Sequence, residues 1–266
     1  MLMNTCCICG AVKDCAQYLE RVLVNMEKIG SVFDEYVIIL CYDNSTDNTL
    51  KILTDYVNKN SRFRLLINTI PVEGGRTHKI ANARNHCLKH IRDYFSDYKY
   101  FIMMDCDDVC AMPVNLDILK KNMKRTDWDG LSFNSSRPYY DLWALSMKHL
   151  VYSCWHFSQP NAHQIYKDAI QHLFRTCPPG ELISVYSAFN GFGIYRTRKF
   201  IDSRYHGESR LDLIPPFLME ANKRVCGEIT PYYWGGPDQD CEHRSFHLRA
   251  IFNNDAIVAI SPDVLF

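Results

Sequence analysis

The first hundred residues alternate four times between a short apolar run and a polar segment, and three of these segments have helical periodicity. The apolar runs are strand-sized and continuous, which is typical of strands buried on both faces of a sheet. Such alternation predicts an α/β fold with a mostly parallel central sheet flanked by helices. The predicted strands are residues 5–11, 36–42, 63–69 and 98–104, and the predicted helices are 15–28, 49–58 and 77–95.

The second half of the chain is less regular. Residues 131–135, 184–195 and 256–260 have the composition of strands, and residues 240–251 that of a short helix. The aromatic-rich segment 141–177 is interpreted as helix and loop. Since the 266 residues show no break in composition, we expect a single domain with an irregular helical C-terminal half.

Composition excludes several classes of protein. Lys and Arg together number 30, as do Asp and Glu, and no basic run stands out, so no nucleic-acid partner is expected. No apolar run approaches the roughly 18 residues of a membrane span, and the N-terminus lacks the features of a secretory signal. Many of the twelve cysteines lie in apolar runs, which favours reduced thiols and a cytoplasmic location.

Three polar segments follow predicted strands, at residues 11–14, 43–47 and 105–108. Ligands of such sheets bind beyond the carboxyl ends of the strands, so we expect the three segments to form one site. Asp105 and Asp107 are two residues apart, and an extended backbone points both carboxylates to one side. Mg²⁺ and Mn²⁺ prefer carboxylate and phosphate oxygens, although Asp clusters after strands also act simply as turn formers.

These segments resemble motifs of a known family. Residues 41–49, CYDNSTDNT, resemble the Asp-Asp-Gly-Ser-x-Asp-x-Thr turn of family 2 glycosyltransferases. The Ala-Arg-Asn triplet at 83–85 and Asp-Cys-Asp-Asp at 105–108 resemble two further motifs, in the same order and spacing. Two departures, Tyr42 for the first Asp and Asn44 for Gly, suggest that the nucleotide base is held differently.

The resemblance implies a GT-A (Rossmann-like) fold of the nucleotide-diphospho-sugar transferase superfamily. Residues 1–110 would form the nucleotide-binding half and residues 111–266 the acceptor-binding half. The implied activity is transfer of a hexose from a nucleotide-sugar, UDP favoured over GDP, to a glycan or other hydroxyl acceptor. A divalent cation, Mn²⁺ or Mg²⁺, would assist. The implied nucleotide-binding residues are Ala11, Val12, Asp43, Arg84, Asp105 and Cys106. Asp107 matches the metal ligand of the family, and Asp105 is the second candidate ligand.

The C-terminal half supplies the candidates for catalysis. Residues 233–236, YWGG, with the helix that follows, resemble the Trp-Gly-Gly…Glu segment of polypeptide-type transferases and the family 2 motif that contributes the base. In an inverting transfer, which we favour, a carboxylate removes the acceptor proton. Glu242 is the first candidate, Asp240 the second, and Asp238 remains open. Glu242 would also offset a helix macrodipole.

Two histidines in the same segment are candidate metal ligands. His243 and His247 are four residues apart on one helix face, a spacing that can hold a metal. The alternative is one hydrogen-bonded core histidine and one solvated histidine. The Cys-Glu-His…Phe-His pattern at 241–247 also resembles a branch of bacterial and large-virus transferases.

Aromatic and glycine residues suggest contacts to the donor or acceptor sugar. Aromatic faces and a carboxylate suit the C–H surfaces and hydroxyls of a sugar ring, and glycine permits a close backbone approach. Core packing and a strand bulge are the respective alternatives. The candidates are Tyr140, Asp141, Trp143, Asn190, Gly191 and Trp234.

Three other functions compete with a glycosyltransferase. A sugar nucleotidyltransferase would carry a Gly-rich, basic loop after the first strand, and residues 10–13, GAVK, are a poor match. A non-catalytic nucleotide-sugar-binding protein would keep the fold without turnover. A zinc-stabilised interaction module would use Cys6, Cys7 and Cys9, which lack a second cysteine pair at zinc-finger spacing.

Overall fold

The computed structural model describes residues 3–69, 71–136, 139–230 and 238–266. Within them, eight strands and eight α-helices are defined, together with a 3₁₀ helix at Leu211–Leu213. The strands are β1 Thr5–Val12, β2 Glu35–Tyr42, β3 Phe63–Ile67, β4 Tyr100–Met104, β5 Gly130–Asn134, β6 Ile183–Ser184, β7 Phe192–Arg196 and β8 Val258–Val264. The helices are α1 Ala16–Gly30, α2 Thr49–Val57, α3 Arg76–Tyr94, α4 Leu116–Met123, α5 Ala162–Thr176, α6 Thr197–Phe200, α7 Pro216–Cys226 and α8 Glu242–Asn254.

The strands form one mixed sheet in the order β3-β2-β1-β4-β7-β5-β8-β6. Strands β1 to β4 pair in parallel, as the helical connections between them require. Strand β7 then runs antiparallel between β4 and β5. The parallel α/β prediction is therefore confirmed for the first half of the chain, and the second half adds antiparallel pairings.

One predicted strand, residues 184–195, is wrong as a single element. The structure divides it into β6 and β7, which lie at different places in the sheet. Between them Asn190 and Gly191 adopt φ values of 55° and 86°, in the left-handed region that Asn and Gly tolerate best. These two residues turn the chain into β7 instead of extending one strand.

The core lies on both faces of the sheet. In β1, Cys6 and Ile8 pack into the cluster on one face, and Cys7 and Cys9 into the cluster on the other. This alternation follows from the two-residue period of a strand. The thiols of Cys6, Cys7 and Cys9 cannot converge on one zinc ion, so the structure contradicts the zinc-module alternative. All twelve cysteines are free, and Cys177 is the one that is not buried.

The unpredicted elements lie mostly in the second half. Helix α4 begins where the Asn115 side chain accepts hydrogen bonds from the backbone of Asp117 and Ile118, a standard N-cap. Helix α7 starts at Pro216 and stops at Gly227, whose φ is 79°. Among the helices in the described ranges, none has the length and apolarity to cross a membrane.

Candidate active site

A cleft of about 740 Å³ opens beyond the carboxyl ends of β1, β2 and β4. The start of α3, the segment after residue 138 and the start of α8 complete its walls. The three polar segments that follow the strands therefore meet, as the parallel topology predicts. Twelve of the predicted site residues line the cleft: Ala11, Val12, Asp43, Arg84, Asp105, Cys106, Asp107, Tyr140, Asp141, Trp143, Glu242 and His243.

The turn after β2 is fixed by hydrogen bonds to the start of α1. Asp14 accepts from the backbone N–H of Thr46 at 2.6 Å, and Asp47 accepts from that of Ala16 at 2.9 Å. The Tyr42 hydroxyl accepts from the backbone N–H of Ser45 at 2.9 Å. Tyr42, a departure from the family motif, thus takes a structural role in the turn that carries Asp43 into the cleft.

Arg84 is the centre of the buried charge in the cleft. It is 4% exposed, and its Nη2 donates to Asp105 Oδ1 at 2.8 Å. Its Nη1 contacts Glu242 Oε1 and His243 Nε2 closely. The guanidinium also lies 4.7 Å from the ring centroid of Phe189, a cation–π contact. Arg84 therefore joins α3, β4 and α8 at one point, which a linear motif does not reveal.

Negative charge exceeds positive charge in this part of the cleft. Burial raises the pKa of Asp105 to about 7, against the opposing effect of Arg84 and with help from Asp107 and Asp141. Burial is also the main cause of the raised pKa values of Asp107 and Asp141. Arg84 alone does not offset these carboxylates, so a cationic ligand would stabilise their ionised forms.

The donor set fits a divalent cation that is shared with a substrate. Across the described residues, no group of three or more His, Cys, Asp or Glu side chains is arranged to hold a metal by itself. Mg²⁺, however, usually binds one or two carboxylates and completes its shell with substrate phosphates and water. Asp105 and Asp107, with raised pKa values and at the cleft surface, match that requirement.

Of the two predicted catalytic carboxylates, only Glu242 lines the cleft. Asp240 is 2% exposed, its Oδ2 accepts from Arg244 Nε at 2.9 Å, and its Oδ1 accepts from the backbone of Cys241 at 2.8 Å. Asp240 is thus held away from the cleft, which contradicts its prediction as a base. The third candidate, Asp238, has a side chain that is 66% exposed and lies 3.7 Å from His78 Nε2.

The structure also changes the interpretation of the two histidines. Both ring nitrogens of His247 are engaged, Nδ1 with Ser187 Oγ at 2.9 Å and Nε2 with Tyr195 Oη at 3.1 Å. The prediction of His247 as a metal ligand is therefore wrong, and its core-histidine alternative describes it. His243 borders the cleft, but its Nε2 contacts Arg84, so that nitrogen is not free for a metal either.

The predicted sugar-binding residues divide into two layers. Tyr140, Asp141 and Trp143 line the cleft. Asn190 and Gly191 lie behind it: the Asn190 backbone N–H donates to Asp141 Oδ2 at 3.1 Å, and the Gly191 carbonyl accepts from the backbone of Asp105 at 2.8 Å. These two residues hold carboxylates in place and do not face the cleft. Trp234 lies outside the described residues.

Several further residues line the cleft. Lys13 and Asp14 belong to the strand-end segment 11–14, which was expected to join the site, whereas Tyr18 of α1 was not predicted. Arg76 and Lys79, in the first turn of α3, also line the cleft. Phe189 and Cys241 enter through tertiary contacts and carry no local sequence signal.

The fold and the cleft agree with comparisons to known proteins. The family model for glycosyl transferase family 2 matches residues 7–179, and the chain belongs to this family. A search of curated protein sequences finds no match. The family prediction is therefore confirmed, and the chain is a glycosyltransferase by family.

Solved structures with a similar fold include S. aureus TarS, which is 14% identical with a TM-score of 0.52. That comparison covers 98% of this chain and 36% of TarS. A fragment, TarS 1–349 in complex with UDP-GlcNAc, is 15% identical with a TM-score of 0.50, covering 98% of this chain and 57% of the fragment. At this identity the likeness concerns the fold, and the chain spans less than two thirds of these proteins.

Proposed function

We propose that the chain transfers a hexose from a UDP-sugar to a hydroxyl acceptor, with inversion and with a divalent cation. The supporting observation is the meeting of Asp43, Arg84, Asp105, Asp107 and Glu242 around one cleft, although they come from four separate segments. The UDP-GlcNAc complex of a TarS fragment that shares the fold also favours a UDP-sugar over a GDP-sugar as donor.

The nucleotide would lie along the ends of β1 and β2. Asp43 borders this part of the cleft, 3.5 Å from Lys13 Nζ, and its carboxylate would accept a hydrogen bond from a base N–H. The backbone of Ala11 and Val12 would flank the base. Lys13 and Lys79 supply positive charge at the cleft for an anionic ligand.

The metal would be held by Asp107 and Asp105 beside the diphosphate. When bound, it would neutralise charge on the departing diphosphate. Asp105 keeps its place through Arg84 Nη2 and through its backbone bond to Gly191. Asp107 Oδ1 accepts from the backbone N–H of Val109 at 3.1 Å, which fixes the turn.

Glu242 would accept the proton of the acceptor hydroxyl as the sugar C1 is attacked. It must be ionised to do so, and the Arg84 guanidinium beside it supplies the countercharge. Tyr140, Asp141 and Trp143 would contact the sugar on the same side of the cleft. Neither rival activity, a nucleotidyltransferase or a non-catalytic binder, is favoured by a specific contact in the cleft.

Thermal unfolding with UDP, GDP and CMP, each with and without Mn²⁺, tests this proposal. At a UDP concentration about 100 times Kd, binding would stabilise the fold by about 2.7 kcal/mol. For a chain of this size that corresponds to a rise in Tm of roughly 5–10 °C. The rise should need both UDP and Mn²⁺ and should disappear in Asp107→Ala. No shift with any nucleotide, or an unchanged shift in Asp107→Ala, would overturn the metal-dependent donor site.

A further inference from the structure

A second cavity of about 420 Å³ lies in the C-terminal half, separate from the cleft. It forms where the backbone of residues 156–158 pairs with that of residues 228–230, beside the 3₁₀ helix. Its volume is within the range of about 300–1,000 Å³ that is usual for small-molecule sites. None of the predicted site residues that the structure describes lines this cavity.

Hydroxyl groups dominate the polar lining of the second cavity. Tyr152, Ser209 and Thr230 each contribute one hydroxyl. The Tyr152 hydroxyl lies 2.5 Å from Ser209 Oγ and 3.3 Å from His156 Nδ1, so a small network is already ordered at the wall. Hydroxyls act as both donors and acceptors, which matches the hydroxyl groups of a sugar or polyol.

The charge of the second cavity favours a neutral ligand. No Lys or Arg is among the described residues that line it. Its carboxylate, on Asp212, is paired with Arg210 at 2.6 Å, and burial lowers the pKa of His156, which favours the neutral imidazole. Leu211 and Ile229 add aliphatic surface, which suits the C–H face of a sugar ring. Among these described lining residues, a phosphate group would find no cation.

Arg244 contacts one lining residue of each cavity. Arg244 Nη2 donates to the carbonyl oxygen of Trp143, and Trp143 lines the cleft. The same guanidinium lies 5.9 Å from the ring centroid of Tyr152, which lines the second cavity. Arg244, which is paired with Asp240, therefore links the walls of the two cavities.

We propose that the second cavity binds a neutral sugar or polyol unit of the acceptor, at a distance from the hydroxyl that reacts in the cleft. Its identification with the acceptor rests on the proposed glycosyltransferase function. Its preference for a neutral, hydroxyl-rich ligand rests on its own lining.

Saturation-transfer NMR with four probes tests the proposal: ribitol, glucose, N-acetylglucosamine and glucose 6-phosphate. Wild-type protein should bind at least one neutral probe and retain it when UDP and Mg²⁺ are added. Leu211→Trp should lose the neutral probe, because an indole at this rim position fills the cavity. Leu50→Trp is the matched control, since Leu50 is 39% exposed and Leu211 40% exposed, and it should bind the probe as wild type does.

The proposal is overturned if no neutral probe binds, if UDP displaces the probe, or if Leu211→Trp binds it unchanged. Stronger binding of glucose 6-phosphate than of glucose would likewise contradict a neutral site. UDP binding is recorded separately for each variant. Its failure in the wild type would refute the proposed donor site, whereas the sugar signals judge the second cavity alone.

Discussion

Arg84 and Arg244 are two buried arginines that pair with carboxylates at the start of α8, and they differ in how fully they are satisfied. Arg244 is 2% exposed and donates to Asp240, to the Ser146 hydroxyl and to three carbonyl oxygens, those of Trp143, Leu145 and Val151. Arg84 contacts Asp105, Glu242 and His243, but its Nε has no hydrogen-bond partner.

The difference separates a structural ion pair from a site for a ligand. Each of the three guanidinium nitrogens of Arg244 donates a hydrogen bond, and its partner carboxylate, on Asp240, is buried outside the cleft. Around Arg84 a buried donor is unused, the Nδ1 of His243 has no partner, and burial raises the pKa of Asp105 to about 7. Such incomplete pairing costs free energy in the empty fold, and it is typical of sites that bind a charged ligand.

The largest expected effect distinguishes the two carboxylates of these pairs. Glu242→Gln should lower the transfer rate by about 10²–10⁴, the usual contribution of a general base, while UDP binding stays close to that of wild type. Asp240→Asn, the matched control, should retain most activity per folded molecule because it lies outside the cleft. Initial rates with a UDP-sugar and titration with UDP measure both quantities. Equal losses in the two variants would contradict the assignment of the base.

The next effect concerns the stability that the buried Arg244–Asp240 pair gives to the fold. Arg244→Ala leaves the Asp240 carboxylate buried without its partner, and we expect a loss of about 3–5 kcal/mol in the free energy of unfolding. Arg198→Ala, at an exposed position on α6, should change it by no more than about 0.5 kcal/mol. Urea unfolding followed by circular dichroism measures both. A small effect in Arg244→Ala would mean that the buried Arg244–Asp240 pair contributes little to the free energy of unfolding.

The same contrast explains what could be predicted from the sequence. The strand-end residues Asp43, Asp105 and Asp107 were found because local periodicity fixes β1 to β4 and parallel pairing brings their ends together. Arg84 was found through its motif, but its contact with Glu242 joins residues 158 positions apart. Nothing in the local pattern distinguishes Glu242 from Asp240. Only the packing of α8 decides which carboxylate faces the cleft.

The second half of the chain was harder for a related reason. Strand β7 takes its place between β4 and β5 through antiparallel pairings that join distant segments. The left-handed turn at Asn190 and Gly191 divides what reads as one apolar run. His243 and His247 share a helical face by spacing, yet one borders the cleft and the other is enclosed by Ser187 and Tyr195.

The smallest expected effect is the pH dependence that the buried His247 gives to the free energy of unfolding. Burial, and then the charges of Arg244 and Arg84, lower its pKa to about 3. The unfolded chain takes up this proton near pH 6.5, whereas the folded chain does not. The neutral His247 therefore contributes stability that is fully present above pH 6.5 and is lost as the pH falls toward 3, at up to about 1.4 kcal/mol per pH unit.

Urea unfolding between pH 6.5 and 5 tests this effect against His247→Gln, which does not titrate. Wild type should lose up to about 2 kcal/mol more than the variant over this range. His172→Gln, at an exposed position on α5, is the control and should keep the wild-type slope. If His247→Gln loses stability as steeply as wild type, the proton uptake comes from elsewhere. The contrast between the buried Arg244–Asp240 pair and the cluster around Arg84 would then not extend to His247 and His243.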